Sequence, residues 1–232
     1  MNVDQNPNLG CVYTVRKTHE TPALDGPFDG GAWKDSAELR VDHFHARSSD
    51  HRPKVLVKLL HDGQAVYVQF RVRDRYVVCV HTEYQAPVCR DSCVEFFAQP
   101  KRDKGYFNFE VNCGGHLLLS YVEDPARTSG GFKKYTRVPW EEAKSIRIHH
   151  SMSGRVFPEV QQETEWSVAY AVPFTLFEHY AGHLGNVAGQ EWRANFYKCA
   201  DDSSHPHWAA WAPIEEELNF HQPRFFGLLH FA

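Results

Sequence analysis

The sequence lacks the features that mark several large classes of protein. No apolar run approaches the roughly 20 residues that a transmembrane helix needs. The segment Met1–Pro7 has neither the basic nor the apolar region of a secretory signal. The formal net charge is -4 and no long basic run occurs, so nucleic acid is not an expected partner. We therefore expect no membrane partner and a cytoplasmic location, or a secreted or periplasmic one if a signal has been removed.

The six cysteines also lack the spacing of a metal-binding motif. No pair has CxxC spacing, which argues against a zinc site. Cys93, Cys113 and Cys199 each lie in an apolar, strand-like run, where cysteine usually acts as a small core residue. We expect free buried thiols rather than disulfides.

Short alternating runs dominate what is present. Aromatic residues make up 14% of the chain, which favours sheets over helical bundles. In the run 65–73, apolar residues alternate with polar ones, and Asp62–Gly63 before it is a hairpin signal. A second hairpin signal is Gly114–Gly115, and Phe174–Tyr180 is the best candidate for a helix.

About nine or ten such strands predict an all-β fold. We expect an antiparallel β-sandwich of the immunoglobulin-like or jelly-roll type with one short helix. No repeat or low-complexity linker divides the chain, so residues 1–232 are predicted to form one domain. Residues 1–20 are interpreted as an extended lead-in, and residues 123–139 as a long polar loop.

Two neighbouring strands carry unusual polar residues opposite an apolar face. Glu95 lies in the strand 92–98, and Asn108 and Glu110 lie in the strand 106–112. Arg193 and Asn195 have the same alternating position in the strand 191–199. Carboxylates, amides and guanidinium groups offer paired hydrogen-bonding atoms that suit vicinal hydroxyls. The alternatives are a merely solvated sheet face and a structural ion-pair network of Arg90, Glu95 and Arg193.

Aromatic residues complete this candidate sugar site. Trp208 and Trp211 follow a polar loop, and either can supply a flat surface for a sugar ring. A different interpretation makes Glu95 and Glu110 the acid and nucleophile of a glycoside hydrolase.

Calcium and haem are two other ligands that the sequence leaves as alternatives. Loop oxygens of Asp25, Asp29 and Asp62 make a structural Ca²⁺ site conceivable, although no EF-hand spacing occurs. Haem would need axial ligands, for which Met152 and His149–His150 are the candidates.

Several of these segments together resemble the family 9 carbohydrate-binding modules, in particular their bacterial family 9-like branch. The resemblance covers residues 25–231 and is most specific in two stretches, which are Asp91–Phe97 (DSCVEFF) and Arg193–Cys199 (RANFYKC). It implies a β-sandwich that binds sugars without cleaving them. It also implies that two tryptophans hold the terminal sugar, that an acidic residue and amides bind its hydroxyls, and that calcium is structural.

The resemblance places the acidic residue at Glu95 and one tryptophan at Trp208 or Trp211. The other tryptophan should stand six residues before Glu95, where this chain has Cys89. Half of the aromatic clamp is therefore missing or is supplied by another residue such as Tyr84.

The sequence thus predicts a monomeric, non-catalytic binder of plant-type or other glycans, such as xylan or cellulose, with a role in polysaccharide catabolism. The predicted binding residues are Arg90, Glu95, Asn108, Glu110, Arg193, Asn195, Trp208 and Trp211.

Overall fold

The computed structural model describes residues 7, 8, 10–215 and 217–232. Its strands are β1 (Val12–Lys17), β2 (Leu39–Arg40), β3 (His43–Phe44), β4 (Lys54–His61), β5 (Ala65–Asp74), β6 (Val77–Cys79), β7 (Cys93–Gln99), β8 (Tyr106–Asn112), β9 (Leu117–Thr128), β10 (Gly131–Arg137), β11 (Arg147–His150), β12 (Val156–Val160), β13 (Thr164–Pro173), β14 (Glu191–Cys199), β15 (Trp208–Ala210) and β16 (Gly227–Phe231). Its helices are α1 (Trp140–Ala143) and α2 (Phe174–Ala181). None of the helices in these ranges is long and apolar enough to cross a membrane.

The strands form two layers that β1 joins. The first layer has the order β10-β9-β8-β7-β14-β16-β1, and the second has the order β1-β4-β5-β13-β11. Residues 12–15 of β1 pair in parallel with β16, and residues 16–17 pair in parallel with β4. Part of the predicted lead-in is therefore the strand that links the two layers. The predicted β-sandwich is confirmed, with parallel pairing at β1 inside an otherwise largely antiparallel arrangement.

The core lies between the layers and follows the alternation in the sequence. Every second residue of β5, from Val66 to Val72, is buried in it. From the first layer, Phe96 stacks on Phe196 with ring centroids 5.0 Å apart and on Phe109 at 5.9 Å. Aromatic residues bury a large area, so this row contributes much of the hydrophobic stabilisation between the two layers.

The two predicted hairpins and the predicted helix are present. At the first hairpin, Gly63 has a φ of +89°, which a residue with a side chain rarely adopts. The Asp62 carboxylate accepts hydrogen bonds from the backbone N–H groups of Gln64 and Ala65, both at 2.8 Å. The turn is therefore fixed by local chemistry that the sequence shows directly.

The prediction of a long loop at 123–139 was wrong. Strand β9 continues to Thr128 and turns at Gly130–Gly131 into β10, which is the edge strand of the first layer. Most residues of this hairpin beyond Val122 are exposed or half-buried. Because neither face is buried in the core, its sequence has no apolar alternation and looks like a loop.

Candidate functional site

A pocket of about 370 Å³ opens on the outer face of the first layer, opposite the core. Its floor is formed by β7, β8 and β14, which contribute Glu95, Glu110 and Cys199 respectively. Cys89, from the short helical turn Val88–Arg90, and Trp208 from β15 also line it. The pocket therefore lies where these five segments meet.

Glu95 and Glu110 face each other on the pocket floor. They are direct partners across the antiparallel pair of β7 and β8, and both side chains are almost fully buried. The Asn108 amide donates to Glu110 Oε1 at 2.7 Å and accepts the backbone N–H of Ser120 at 2.8 Å. The Cys199 Sγ lies 3.0 Å from Glu95 Oε1 and can donate to it. Both carboxyl groups are thus held in place by neighbours on the same sheet face.

Burial is the main reason that the pKa of each carboxyl group rises. The pKa of Glu110 rises to about 7, although the hydrogen bond from Asn108 acts in the opposite direction. Burial raises the pKa of Glu95 well above its usual range, and the nearby Glu110 raises it further. Near neutral pH the pair therefore retains a proton and can both donate and accept hydrogen bonds. Such a pair suits hydroxyl groups, which also do both.

Trp208 is a half-buried wall of the pocket with a fixed ring. Its indole N–H donates to Asp201 Oδ1 at 2.7 Å. Its backbone N–H donates to Ser48 Oγ at 3.0 Å, and its carbonyl accepts the N–H of His45 at 2.8 Å. Because ring and backbone are both anchored, the indole presents a pre-positioned flat surface to the pocket.

Much of the outer sheet face beyond the pocket is covered, so the interpretation of it as a merely solvated face does not hold there. A covering segment near the C-terminus, residues 212–215 and 217–222, lies over it, and its Phe220 ring stacks on Tyr197 with centroids 4.0 Å apart. In the same segment, His221 Nδ1 lies 2.8 Å from the hydroxyl of Tyr106. Phe220 and His221 also line the pocket. The covering segment reduces the open part of the face to the end that holds the two glutamates.

The covering segment explains the position of Asn195. The side chain of Asn195 is fully buried, and its amide donates to the carbonyl of Ala212 and accepts the N–H of the same residue, both at 2.9 Å. The backbone N–H of Phe196 also donates to its Oδ1 at 2.9 Å. Asn195 therefore anchors the chain after β15 and does not line the pocket.

Three more predicted residues lie outside the pocket. Arg90 is exposed at its edge and pairs with Asp202, with Nε 2.8 Å from Oδ2. Arg193 lies further along β14, opposite Gln99 of β7. Trp211 packs edge-on against Phe196, with ring centroids 5.7 Å apart. Of the eight predicted residues, the structure brings together Glu95, Glu110 and Trp208, with Asn108 directly behind them.

The sequence interpretation did not include several residues that line the pocket. Arg47 and Arg127 bring two positive charges to it, and Asp201 brings a carboxyl group. Neither arginine belongs to a recognisable motif, because each reaches the pocket from a segment distant in sequence. Only Cys89 had a signal, since its position six residues before Glu95 was already singled out.

Asp29 and Asp62, considered for calcium, and His150, considered for haem, have other contacts. Asp29 pairs with Lys58 and Arg71, at 3.0 and 2.9 Å, and Asp62 caps the first hairpin. His150 Nδ1 lies 2.8 Å from the carbonyl oxygen of Met152.

A different group of described residues has side-chain atoms close enough together to hold a metal ion. The group of three potential metal ligands found there is Cys93, Glu95 and Cys199, beneath and beside the pocket floor.

Comparison with known proteins decides the family. The model of Carbohydrate-binding family 9 matches residues 33–231. The chain belongs to carbohydrate-binding family 9. No curated protein matches this family 9 chain.

Solved structures agree with this assignment. A candidate carbohydrate-binding protein from Bacteroides uniformis ATCC 8492 is 28% identical, with a TM-score of 0.81, and the match covers 95% of this chain and 99% of that one. A family 9 module from Caldicellulosiruptor kristjanssonii in complex with cellotriose is 14% identical, with a TM-score of 0.62 and coverage of 95% and 93%. A family 9 module from the same organism in complex with glucose is 13% identical, with a TM-score of 0.58 and coverage of 94% and 95%. These two modules share the fold with this chain.

In this family 9 module, Tyr84 does not supply the second aromatic wall that the resemblance led us to expect at the position of Cys89. The Tyr84 hydroxyl donates to the carbonyl of Val138 at 2.6 Å, and its ring packs against Trp140, outside the pocket. The suggestion that Tyr84 supplies the missing half of the aromatic clamp was therefore wrong. The pocket has one tryptophan wall, at Trp208, while the wall at Cys89 carries a thiol.

Proposed function

We propose that this family 9 module binds a carbohydrate in the pocket at Glu95, Glu110 and Trp208 and does not cleave it. The observation that carries the proposal is the combination of a buried carboxyl pair and an anchored indole in one open pocket. Ligand pockets usually join a few convergent polar groups to an apolar surface, and their volumes begin near 300 Å³. A pocket of about 370 Å³ is at the small end of that range, which favours recognition of a chain end or a short oligosaccharide.

The polar floor supplies hydrogen bonds that suit a sugar. Glu95 and Glu110 offer acceptor oxygens and a retained proton, and Arg47 and Arg127 offer donors. Because the two carboxyl groups are already buried and held by Cys199 and Asn108, they lose little freedom when a ligand binds.

The Trp208 wall supplies the apolar part of recognition. A sugar ring presents C–H groups on one face, and these pack well on an indole. Among the described residues that line the pocket, Trp208 is the only tryptophan, so a sugar ring would stack on a single indole. We therefore infer that sugar binding is weaker and less selective than it would be between two tryptophans. Glucans and xylans are the first ligands to test.

Titration calorimetry tests the proposal. Glucose, cellotriose and xylotriose are titrated into the protein in buffer with a metal chelator, and into two variants, Trp208→Ala and Glu110→Gln. We expect a loss of at least about tenfold in affinity in each, which corresponds to about 1.4 kcal/mol. The matched control is Trp140→Ala, since Trp140 is 56% exposed and lies outside the pocket.

Two results would contradict the proposal. One is unchanged affinity in both pocket variants. The other is no binding of any ligand on a broad glycan array by the folded wild-type protein.

The buried carboxyl pair also favours a second candidate function, glycoside hydrolysis. Directly opposed residues in an antiparallel pair have Cβ atoms about 4.5–5.5 Å apart, so the two carboxyl groups lie close together. A close pair corresponds to the retaining geometry, since an inverting enzyme leaves room for a water. Turnover of chromogenic glycosides that disappears in both Glu95→Gln and Glu110→Gln would replace the binding proposal with this one.

A further inference from the structure

Three of the six cysteines converge at one end of the pocket. Cys89 and Cys199 line it, and Cys93 lies behind Cys199 as its direct partner across the pair of β7 and β14. The Sγ of Cys199 is 3.2 Å from the carbonyl oxygen of Cys89. All six cysteines are free thiols, so no disulfide competes for these sulfur atoms.

A carboxyl group joins this thiol cluster. Glu95 follows Cys93 by two residues on β7, so both side chains lie on the same face of the sheet. One ligand atom each from Cys93, Glu95 and Cys199 lies within 4.8 Å of the other two, and Cys199 Sγ is 3.0 Å from Glu95 Oε1. All three side chains are buried.

We propose that Cys93, Cys199 and Glu95 bind a thiolate-preferring divalent cation, with Zn²⁺ as the ion that fits this set of ligands. In tetrahedral zinc sites the Zn–S bonds are about 2.3 Å and the Zn–O bonds about 2.0–2.2 Å, which puts neighbouring ligand atoms roughly 3.4–3.8 Å apart. The three ligand atoms lie within 4.8 Å of one another, so rotations of these side chains would be needed to bring them to this spacing. The Cys89 thiol and an oxygen of a pocket ligand are the candidates for the fourth position, since Cys89 and Cys199 both line the pocket.

The ligand set explains why the cysteine spacing gave no zinc signal. Zinc motifs are recognised when two ligands lie close in sequence, but Cys93 and Cys199 meet only because β7 and β14 pair. The position of Cys89 is an independent observation in favour of the proposal. The residue that displaces the expected tryptophan is itself a soft ligand beside two others.

A second thiol pair in the chain lacks these properties and serves as a contrast. Cys79 and Cys113 interact with each other, but they belong to no group of three potential ligands among the residues described. Neither lines the pocket. We therefore assign zinc to the pocket cluster and not to buried thiols in general.

This proposal goes beyond carbohydrate binding and does not depend on it. Binding of Zn²⁺ would displace to the solvent the thiol protons of Cys93 and Cys199 and any proton held on Glu95, since thiolates and a carboxylate are the ligands. The two functions share Glu95, so we also expect that saturating Zn²⁺ changes the affinity for any sugar that binds in the pocket.

The test uses the full chain, reduced with a phosphine and freed of metal by a chelator that is then removed. Zn²⁺ binding is measured without sugar, by competition with a chromogenic zinc chelator. Co²⁺ is added in a parallel experiment, because thiolate ligation gives a charge-transfer band and tetrahedral geometry gives intense visible absorption. We expect one ion per chain with both spectral signatures.

Variants assign the ligands. Changes in the surroundings of a metal ligand typically reduce affinity by about 10–100-fold, so loss of a ligand itself should cost at least as much. We expect such a loss in Cys199→Ser, Cys93→Ser and Glu95→Gln, and no change in the matched control Cys113→Ser. Circular dichroism shows that each variant is folded.

The proposal is overturned if the reduced wild-type protein binds no Zn²⁺ at micromolar concentration. It is also overturned if Cys199→Ser, once shown to be folded, binds Zn²⁺ as tightly as the wild type. Because the sugar titrations are done with chelator and the zinc titrations without sugar, failure of one proposal leaves the other unaffected.

Discussion

A buried lysine behind the pocket gives the sharpest stability prediction. Lys198 is fully buried, and its Nζ lies 3.3 Å from Asp74 Oδ2 of the other layer. The same amine lies 2.7 Å from His207 Nε2 and 3.0 Å from the carbonyl oxygen of Cys199. His207 directly precedes Trp208, so this network also supports the segment that carries the indole wall.

The magnitude follows from the charge that a substitution would leave behind. Although burial alone would raise it, Lys198 and His51 hold the pKa of Asp74 well below its usual range. In Lys198→Met the Asp74 carboxylate stays buried without its strongest partner. Breaking a buried pair in this way costs about 3–5 kcal/mol, so we expect that loss in the free energy of unfolding at pH 8.

The loss should shrink as the pH falls. Burial first, and then the charge of Lys198, lower the pKa of His207 to about 3 in the wild type. Without Lys198 the folded-state pKa of His207 rises, so the folded variant binds a proton that the folded wild type does not bind near pH 5. His207 then partly replaces the missing positive charge, and the loss at pH 5 should be smaller by up to about 2 kcal/mol.

Chemical denaturation at pH 8 and pH 5 measures both losses. Lys58→Met is the matched control, because Lys58 is also buried but its partner Asp29 has 59% of its side chain exposed and keeps Arg71. Lys58→Met should lose less free energy of unfolding than Lys198→Met, and its loss should depend little on pH. Equal losses for Lys198→Met at the two pH values, or a loss below about 1 kcal/mol at pH 8, would refute the reasoning.

Three other variants test the covering segment and its surroundings. Burial lowers the pKa of His221 to about 3, so between pH 6.5 and pH 3 the unfolded state binds a proton that the folded state does not. In this range the free energy of unfolding of the wild type should fall by about 1.4 kcal/mol per pH unit relative to that of His221→Phe. Urea titrations at several pH values measure the difference. An added Cβ at Gly105 would lie 2.4 Å from the backbone oxygen of Val122, so Gly105→Ala should lower stability by about 1–3 kcal/mol, and an unchanged melting temperature would contradict the close packing. Asn195→Ala would leave the N–H and carbonyl of Ala212 unpaired and should cost about 1–3 kcal/mol for each, with faster hydrogen exchange in this segment as the local signature.

The sequence predicted those parts of the fold that depend on neighbours along the chain. The alternation in β5 and the Asp62–Gly63 turn arise from local chemistry, and the structure contains both. The sequence also indicated that Glu95 and Glu110 could share one sheet surface. The two strands follow each other along the chain and pair in the ordinary antiparallel way. The edge hairpin of β9 and β10 was missed because it buries too little to need an apolar pattern.

The pocket walls depended on contacts between distant segments, which periodicity does not reveal. Phe220 lies on Tyr197 and the thiol of Cys199 lies beside Glu95 only after the whole sandwich has formed. The sequence showed that these residue types were present, yet it had no means of pairing residues separated by about 20 to 100 positions.

Asn195 shows most clearly why residue type alone does not define a binding site. A planar amide can bind a sugar hydroxyl, but it is equally suited to a backbone N–H and carbonyl. In Asn195 both amide atoms bind Ala212, and this contact holds the start of the covering segment against the sheet. Asn108 has the same chemistry and is directed to Glu110. Asn195 and Asn108 lie on one sheet face, on either side of Phe97, and still have different tasks. The chain after β15 gives Asn195 a backbone partner, whereas β8 itself gives Asn108 the carboxyl group of Glu110.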